Sequence, residues 1–567
     1  MKSARLKGGG FNLSYGNKVF RSLFMPSLVN DFIRRPASSL FFILLMGVIA
    51  YIGIMHFKYN SEYGLDDSYI TYRYAYNFAE GYGLVFNPGE KHYGSTAAGY
   101  AIIVGSISKA IAFAGTFLGI NEPNNWDLRY LIPIVSRTIS TFSLMVGALV
   151  LVLISRNALG AMAGNIAGGY TVLMLFFSNP SSSVVGHETY LFLVLWLLSS
   201  YLAIFFSRYY LSAIVLAVAT TVRPDSILFA GVLFIAIGFI SFRKIGLINT
   251  IKETRWPAVL YISIIAAWLL LMWIYYGQPF PETRIAKQAQ VVLGHWALFG
   301  PNKILNYLSD NLRFSILVLM IIFLLASIAS FFYLAAKRHN DLDVKINYNL
   351  NLLAFSAVWF IVAIGLVLAY TILNVTYWEW YAVPIWFAIV CMLPGLFIPV
   401  FANLESSSLL IKGLGLAGLA SVIAAFAIFD RGHFLWLFNK MQVEQHINGH
   451  IGSYNGVIEI LHLEHPEGTS IATAEPGHLG FALGPNFKVV DTLGLTSPGV
   501  ARAILVGDMD YPFKTWAPQF LVSSWKGKFD PKQRAWFKET YRLHSELTDP
   551  YWTNALKGPY QLYEKIN

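Results

Sequence analysis

Asp66 and Asp67 stand side by side just past the first membrane-length apolar run, in the segment LDDSYITYRYAYNFAEGYGLVFNPGE from Leu65 to Glu90. An acid pair at a membrane surface is expensive unless it has a partner or a task. Two adjacent carboxylates repel, which raises the pKa of one and suits it to take a proton from a hydroxyl. One carboxylate would be enough to cap the helix expected over Ser68–Ala79, which Gly81 and Gly83 then end. The second is surplus to capping. Arg73 lies about two turns along on a face with Tyr69 and Tyr76, where its guanidinium could hold a phosphate.

The elements that must position these groups are mostly membrane helices. The chain has 567 residues, 56% of them hydrophobic and only 13% charged, with a mean hydropathy of +0.53. Soluble domains carry roughly 25% charged residues, so the chain is a polytopic membrane protein. Stretches of spanning character fall near residues 38–57, 97–118, 129–154, 159–177, 190–206, 209–222, 226–242, 257–276, 314–336, 351–373, 381–401 and 408–429. The single cysteine, Cys391, rules out an intramolecular disulfide and C-x-x-C chemistry.

Charge sets the expected orientation. Residues 1–37 form a basic tail with Lys2, Arg5, Lys7, Lys18, Arg21, Arg34 and Arg35 against one acid, Asp31, which places it in the cytoplasm. Arg243, Lys244, Lys252 and Arg255 mark one further cytoplasmic loop, and Lys337, Arg338 and Lys345 another. A transmembrane domain over 38–429 then has outer loops at 58–96 and 277–313. Twelve crossings would leave the C-terminus inside, so 11 or 13 are expected. The net charge of +10 lies on tails and loops and not on one domain face, which argues against nucleic-acid binding.

From about residue 430 short strands and helices alternate, as in a small outer α/β domain over 430–567. TSIATA reads as strand-like and is followed by GHLGFAL, KVVDTLG, SPGVARAIL, QFLVSS, an amphipathic helix at PKQRAWFKETY and the terminal YQLYEKI. His446 and His450 are four apart and His462 and His465 flank Glu464, yet no third ligand stands out and no HExxH occurs. No metal site is assigned, and no Walker or GxGxxG loop is present.

The Leu65–Glu90 segment resembles the first outer loop of the GT-C superfamily of polyprenyl-phosphate-sugar-dependent glycosyltransferases, in the branch that holds the mycobacterial terminal arabinofuranosyltransferase. The resemblance recurs in order at GHET (Gly186–Thr189), Arg223-Pro224-Asp225, YGQPFPETRIAK (Tyr276–Lys287) and VVDTLGLTSP (Val489–Pro498). Departures are Glu282 where that loop carries Asn, Glu379 in YWEWYAVP where relatives tend to carry a basic residue, and Ala97-Ala98 in place of bulkier residues.

The resemblance implies a GT-C fold of about 11–13 helices in a bacterial inner membrane. It implies an inverting glycosyltransferase that moves a sugar, arabinofuranose by analogy, from a polyprenyl monophosphate to a glycan, lipid or protein acceptor on the outer face. Asp66 or Asp67 would be the base. Arg73, Arg223, Arg284 and Lys287 would cradle the phosphate, and His187, Glu188, Tyr69 and Trp378 would meet sugar or acceptor. Trp378 belongs to an aromatic cluster with Tyr377 and Trp380. No cofactor is assigned, although a divalent cation at the acid pair is chemically allowed. A transporter or flippase of lipid-linked sugars is the rival reading, with Lys109 and Arg137 as the only ionisable groups in the membrane plane.

Overall fold

Long apolar stretches become long helices, and short polar breaks decide how they turn. The computed structural model describes residues 36–59, 66–118, 126–176, 184–294, 298–306, 344–396, 454–523, 530–547 and 560–566. Among them seven helices are long and apolar enough to cross a membrane: 36–54, Ala98–Phe117, Leu128–Leu159, Thr189–Phe206, 226–243, Leu247–Tyr276 and 350–372. Two shorter apolar helices, Tyr209–Val222 and Glu379–Leu396, accompany them. The basic tail, the apolar stretches near 314–336 and 408–429, and His446 and His450 lie outside the described residues.

The Leu128–Leu159 helix shows how local sequence sets these elements. Asp127, in extended conformation, accepts from the Arg129 N–H at 2.8 Å, and Gly160 with φ 86° ends the helix. It packs against the Ala161–Phe176 and Thr189–Phe206 helices. The core beside it is aromatic, with Trp196 stacked on Phe229 at 4.7 Å and Trp359 and Phe387 close by. The Leu247–Tyr276 helix instead leaves Trp256, Ile262, Leu271, Trp273 and Ile274 exposed, as a lipid-facing helix does.

Between the Pro36–Tyr59 and Ala98–Phe117 helices lies the amphipathic helix Asp66–Ala79. It starts two residues earlier than its sequence suggests, and the loop over 80–97 then leads into the next membrane helix. Its inner face, with Tyr72, Arg73, Tyr74 and Asn77, is buried.

The C-terminal domain carries a five-stranded sheet in the order β2-β1-β3-β5-β4. β1 (Ser470–Thr473) pairs in parallel with β2 (Lys488–Asp491) and β3 (Phe520–Ser523). β5 (Tyr560–Lys565) runs antiparallel to β3 and to β4 (Tyr541–Leu547). The segment read as an amphipathic helix yields only a 3-10 turn at Pro531–Gln533 and a short helix at Phe537–Thr540, and β4 follows directly. β4 is a largely exposed edge strand, so it lacks the apolar alternation that would reveal it.

A tight seam joins this domain to the Asp66–Ala79 helix. Asp66 accepts from the backbone N–H of Gly477 at 3.0 Å and of His478 at 2.8 Å, the first residues of the Gly477–Leu483 helix. The expected cap therefore exists, but on a helix from the other domain. A Cβ at Gly477 would collide with the Asp66 carbonyl, so only glycine permits this approach. Arg73 donates Nε to the Phe86 carbonyl at 2.7 Å and Nη2 to Phe487 O at 2.7 Å and Asn87 Oδ1 at 3.2 Å, and Nη1 bonds Gly480 O. Asp491 organises the turn of VVDTLGLTSP by accepting from the N–H groups of Leu493, Leu495 and Thr496. That turn lies against Gly94, where a Cβ would strike Leu495 O.

Two outcomes follow from the seam. Replacing Arg73 by Lys leaves at least two buried carbonyls without donors, at about 1–3 kcal/mol each. Arg73→Lys is expected to melt several kilocalories less stable than wild type in a denaturant titration, ~3 kcal/mol by that sum. Burial foremost, then the neighbouring Glu475, lifts the Asp66 carboxyl from its ordinary 3.8 to about 8, against the two N–H bonds that oppose the rise. The folded state thus holds a proton that the unfolded state has released, so the contribution is full below about pH 4 and lost as pH rises through about 8. Melting temperatures between pH 5 and 9 are expected to fall for wild type and to flatten for Asp66→Asn; parallel slopes would refute the assignment.

Candidate active site

The helix Asp66–Ala79 turns its second aspartate away from the seam. The Asp67 carboxylate lies 3.5 Å from Lys287 Nζ. Lys287 sits on the amphipathic helix Thr283–Val292, whose buried face is Thr283, Ala286, Lys287, Ala289 and Gln290. Its ammonium lies over the rings of Trp378 and Trp380, 5.1 and 5.5 Å from their centroids. The two indoles stack on each other at 4.8 Å. The segment before the Glu379–Leu396 helix is tied in place by Thr376, whose hydroxyl donates to the Lys287 carbonyl at 2.6 Å. A cation boxed by two indoles gains quadrupole attraction that partly replaces lost water.

A second charged cluster adjoins this one. Pro224 forces the residue before it out of the helical region, and Arg223 is extended at φ −152°, ψ 124°. Its side chain is buried, with Nη1 3.0 Å from Glu188 Oε1 and Nε 2.7 Å from Asp225 Oδ2. Tyr370 donates its hydroxyl to the same Asp225 oxygen at 2.7 Å. The chain break is pinned by Ser226, which donates to Ala219 O and accepts from Trp196 Nε1 at 2.7 Å. His187 joins through its ring, 6.5 Å from Trp380, with Nδ1 2.8 Å from Thr189 Oγ1. Burial, then the nearby Arg223, pushes His187 down to about 3, so it is neutral.

The turn carrying His187 and Glu188 is fastened to the Leu128–Leu159 helix. Ser136 donates to Gly186 O at 2.7 Å, Ser140 to His187 O at 2.9 Å, and Tyr72 to Gly186 O at 2.8 Å. Gly186 takes φ 79°, which its sequence neighbours could not adopt without strain.

The structure thus gathers Asp67, Lys287, Trp378, His187, Glu188 and Arg223 around one point, with Trp380, Asp225 and Tyr370 beside them. Other expected residues lie elsewhere. Asp66 is bound to the C-terminal domain backbone. Every nitrogen of Arg73 is taken by a carbonyl or amide oxygen, so the expected phosphate contact is replaced by a structural one. Arg284 is exposed on the same helix that buries Lys287. Tyr69 packs edge-on to Tyr72 and to His478 of the C-terminal domain. Glu282 pairs with Arg502 of that domain at 2.6 Å. Sequence reasoning missed Glu475, whose carboxylate accepts from Tyr454 at 2.7 Å and lies near Asp66. No group of three or more metal-ligating side chains occurs among the described residues.

No family model matches the chain, and no curated protein matches it by sequence. Solved structures do match by shape. ArnT from Cupriavidus metallidurans, bound to undecaprenyl phosphate, aligns with a TM-score of 0.50 at 13% identity, over 93% of this chain and 98% of its own. An oligosaccharyltransferase from Archaeoglobus fulgidus in the apo form aligns with a TM-score of 0.43 at 12% identity, over 87% of this chain and 70% of its own. At such identities the likeness is one of fold. The expected architecture is borne out: this is a multi-pass membrane protein of the GT-C fold with a small C-terminal sheet domain.

Proposed function

We propose that the chain is an inverting glycosyltransferase that moves a sugar from a polyprenyl monophosphate to a hydroxyl of an envelope glycan, lipid or protein. The observation that carries this reading is the Asp67–Lys287 pair, a carboxylate and a buried cation 3.5 Å apart beside stacked indoles. The ArnT likeness supports it, since that protein was captured with a lipid phosphate. The motifs quoted above extend the reading to an arabinofuranose donor.

The chemistry needs both halves of the pair. The acceptor oxygen attacks C1 of the sugar while Asp67 takes its proton. The bond from C1 to the phosphate oxygen breaks, and its electrons stay on the departing lipid phosphate. That group goes from one negative charge to two, and Lys287 supplies a positioned positive charge where it develops. Trp378 and Trp380 offer an apolar face on which a sugar ring can lie. Glu188, held by Arg223, and neutral His187 present hydrogen-bonding atoms toward sugar hydroxyls. Arg223, already bonded to two carboxylates, serves here as their anchor. On this reading the site and the C-terminal domain face the periplasm, and the basic tail faces the cytoplasm.

Sugar transfer by the purified chain in nanodiscs, from synthetic polyprenyl-phosphate sugars to host envelope glycans, tests the reading. Asp67→Asn is expected to lower kcat about 10²–10⁴-fold with donor binding intact. Lys287→Gln is expected to lower it about 10²–10³-fold. Asp66→Asn is expected to keep most activity at neutral pH. Wild-type chain that turns over no donor but moves lipid-linked sugar across the bilayer would instead support a transporter.

A further inference from the structure

Resting on that functional reading, the cations near the site can be sorted by what already neutralises them. Arg223 has Glu188 and Asp225. Lys287 has Asp67. Arg73 has a ring of carbonyl oxygens. Arg137 has no such partner. It lies on the Leu128–Leu159 helix and is 8% exposed. Its Nε has no hydrogen-bond partner, and among the described residues no carboxylate lies within ion-pair distance. The Tyr69 hydroxyl lies beside it.

An uncompensated buried cation is costly, because the water removed from the guanidinium has to be replaced by an anion or by a full set of acceptors. The surroundings fix the side chain in place. A Cβ on Gly186 would lie 3.4 Å from Arg137 Cγ, so the side chain lies against the GHET turn. Ser136 and Ser140, one before it and three after, bind the carbonyls of Gly186 and His187. The same turn carries His187 toward Trp380 and the Lys287 box. Arg137 therefore lies against the turn whose His187 ring faces Trp380, one of the two indoles under Lys287.

We propose that Arg137 is a phosphate-binding residue of the site, donating from its free Nε edge to the donor phosphate while Lys287 stands on the other side. A phosphodiester needs one countercharge, and the monoester that leaves needs a second. The Tyr69 hydroxyl orients the guanidinium. No further bond is made or broken by Arg137; it binds the phosphate before transfer and holds it more tightly after.

The full-length chain in nanodiscs tests this with two probes, a polyprenyl monophosphate and the uncharged polyprenol of equal length. Arg137→Gln is expected to weaken binding of the phosphate about tenfold or more and to leave polyprenol binding unchanged. Arg137→Lys is expected to recover part of the loss. Phosphate binding by Arg137→Gln within about twofold of wild type overturns the proposal. If that variant does not purify, a cryo-EM map of wild type with the polyprenyl monophosphate decides. A phosphate oxygen within hydrogen-bond distance of Arg137 bears the proposal out, and phosphate density elsewhere overturns it. Wild type that transfers sugar while Arg137→Gln binds phosphate normally rejects Arg137 alone. Wild type that neither binds the phosphate nor transfers sugar rejects the functional reading as well.

Discussion

One short polar helix, Asp66–Ala79, must satisfy two bodies at once, and the rest of the arrangement depends on it. On one side it caps and binds the C-terminal domain through Asp66 and Arg73. On the other it meets the membrane helices through Tyr72 at Gly186. Buried backbone groups have to be paired, and here side chains from one domain pair the backbone of another. Asp67 is aimed only because its neighbours on both sides are fixed. A helix with a single attachment would leave that carboxylate free to swing away from Lys287.

The charged residues under this helix form a chain of compensations. Arg223 is held by Glu188 and Asp225, and Asp225 is held in turn by Tyr370. Such buried networks stabilise little on net, because desolvation offsets most of the attraction. Their service is geometric. The break at Pro224 would otherwise leave two helix ends facing each other without partners, and Ser226 with Trp196 closes it. Lys287 sits in an apolar setting against one carboxylate and two indoles.

Much of this was legible in the sequence, and the misses share a cause. The acid pair announced a site, but which acid does what depends on the Gly477–Leu483 helix, some four hundred positions away. Arg73 looked like a free cation because carbonyl oxygens carry no sequence signature. Arg223 stood out as a member of the Arg-Pro-Asp motif, whereas Glu188 reaches it through the tertiary fold alone. Arg137 was visible as a charge inside an apolar run, yet its lack of a counter-ion can be read only in three dimensions. β4 escaped because an edge strand with wet side chains has no hydrophobic period.

The Asp67–Lys287 pair is also lopsided. The Asp67 side chain keeps 27% of its surface in contact with solvent, while Lys287 keeps 7%. The two halves of one ion pair therefore differ in access: the carboxylate is the reachable end and the ammonium the enclosed one. On the proposed function an acceptor hydroxyl would meet the carboxylate first, and the donor phosphate would have to enter the enclosed cluster to meet the cation.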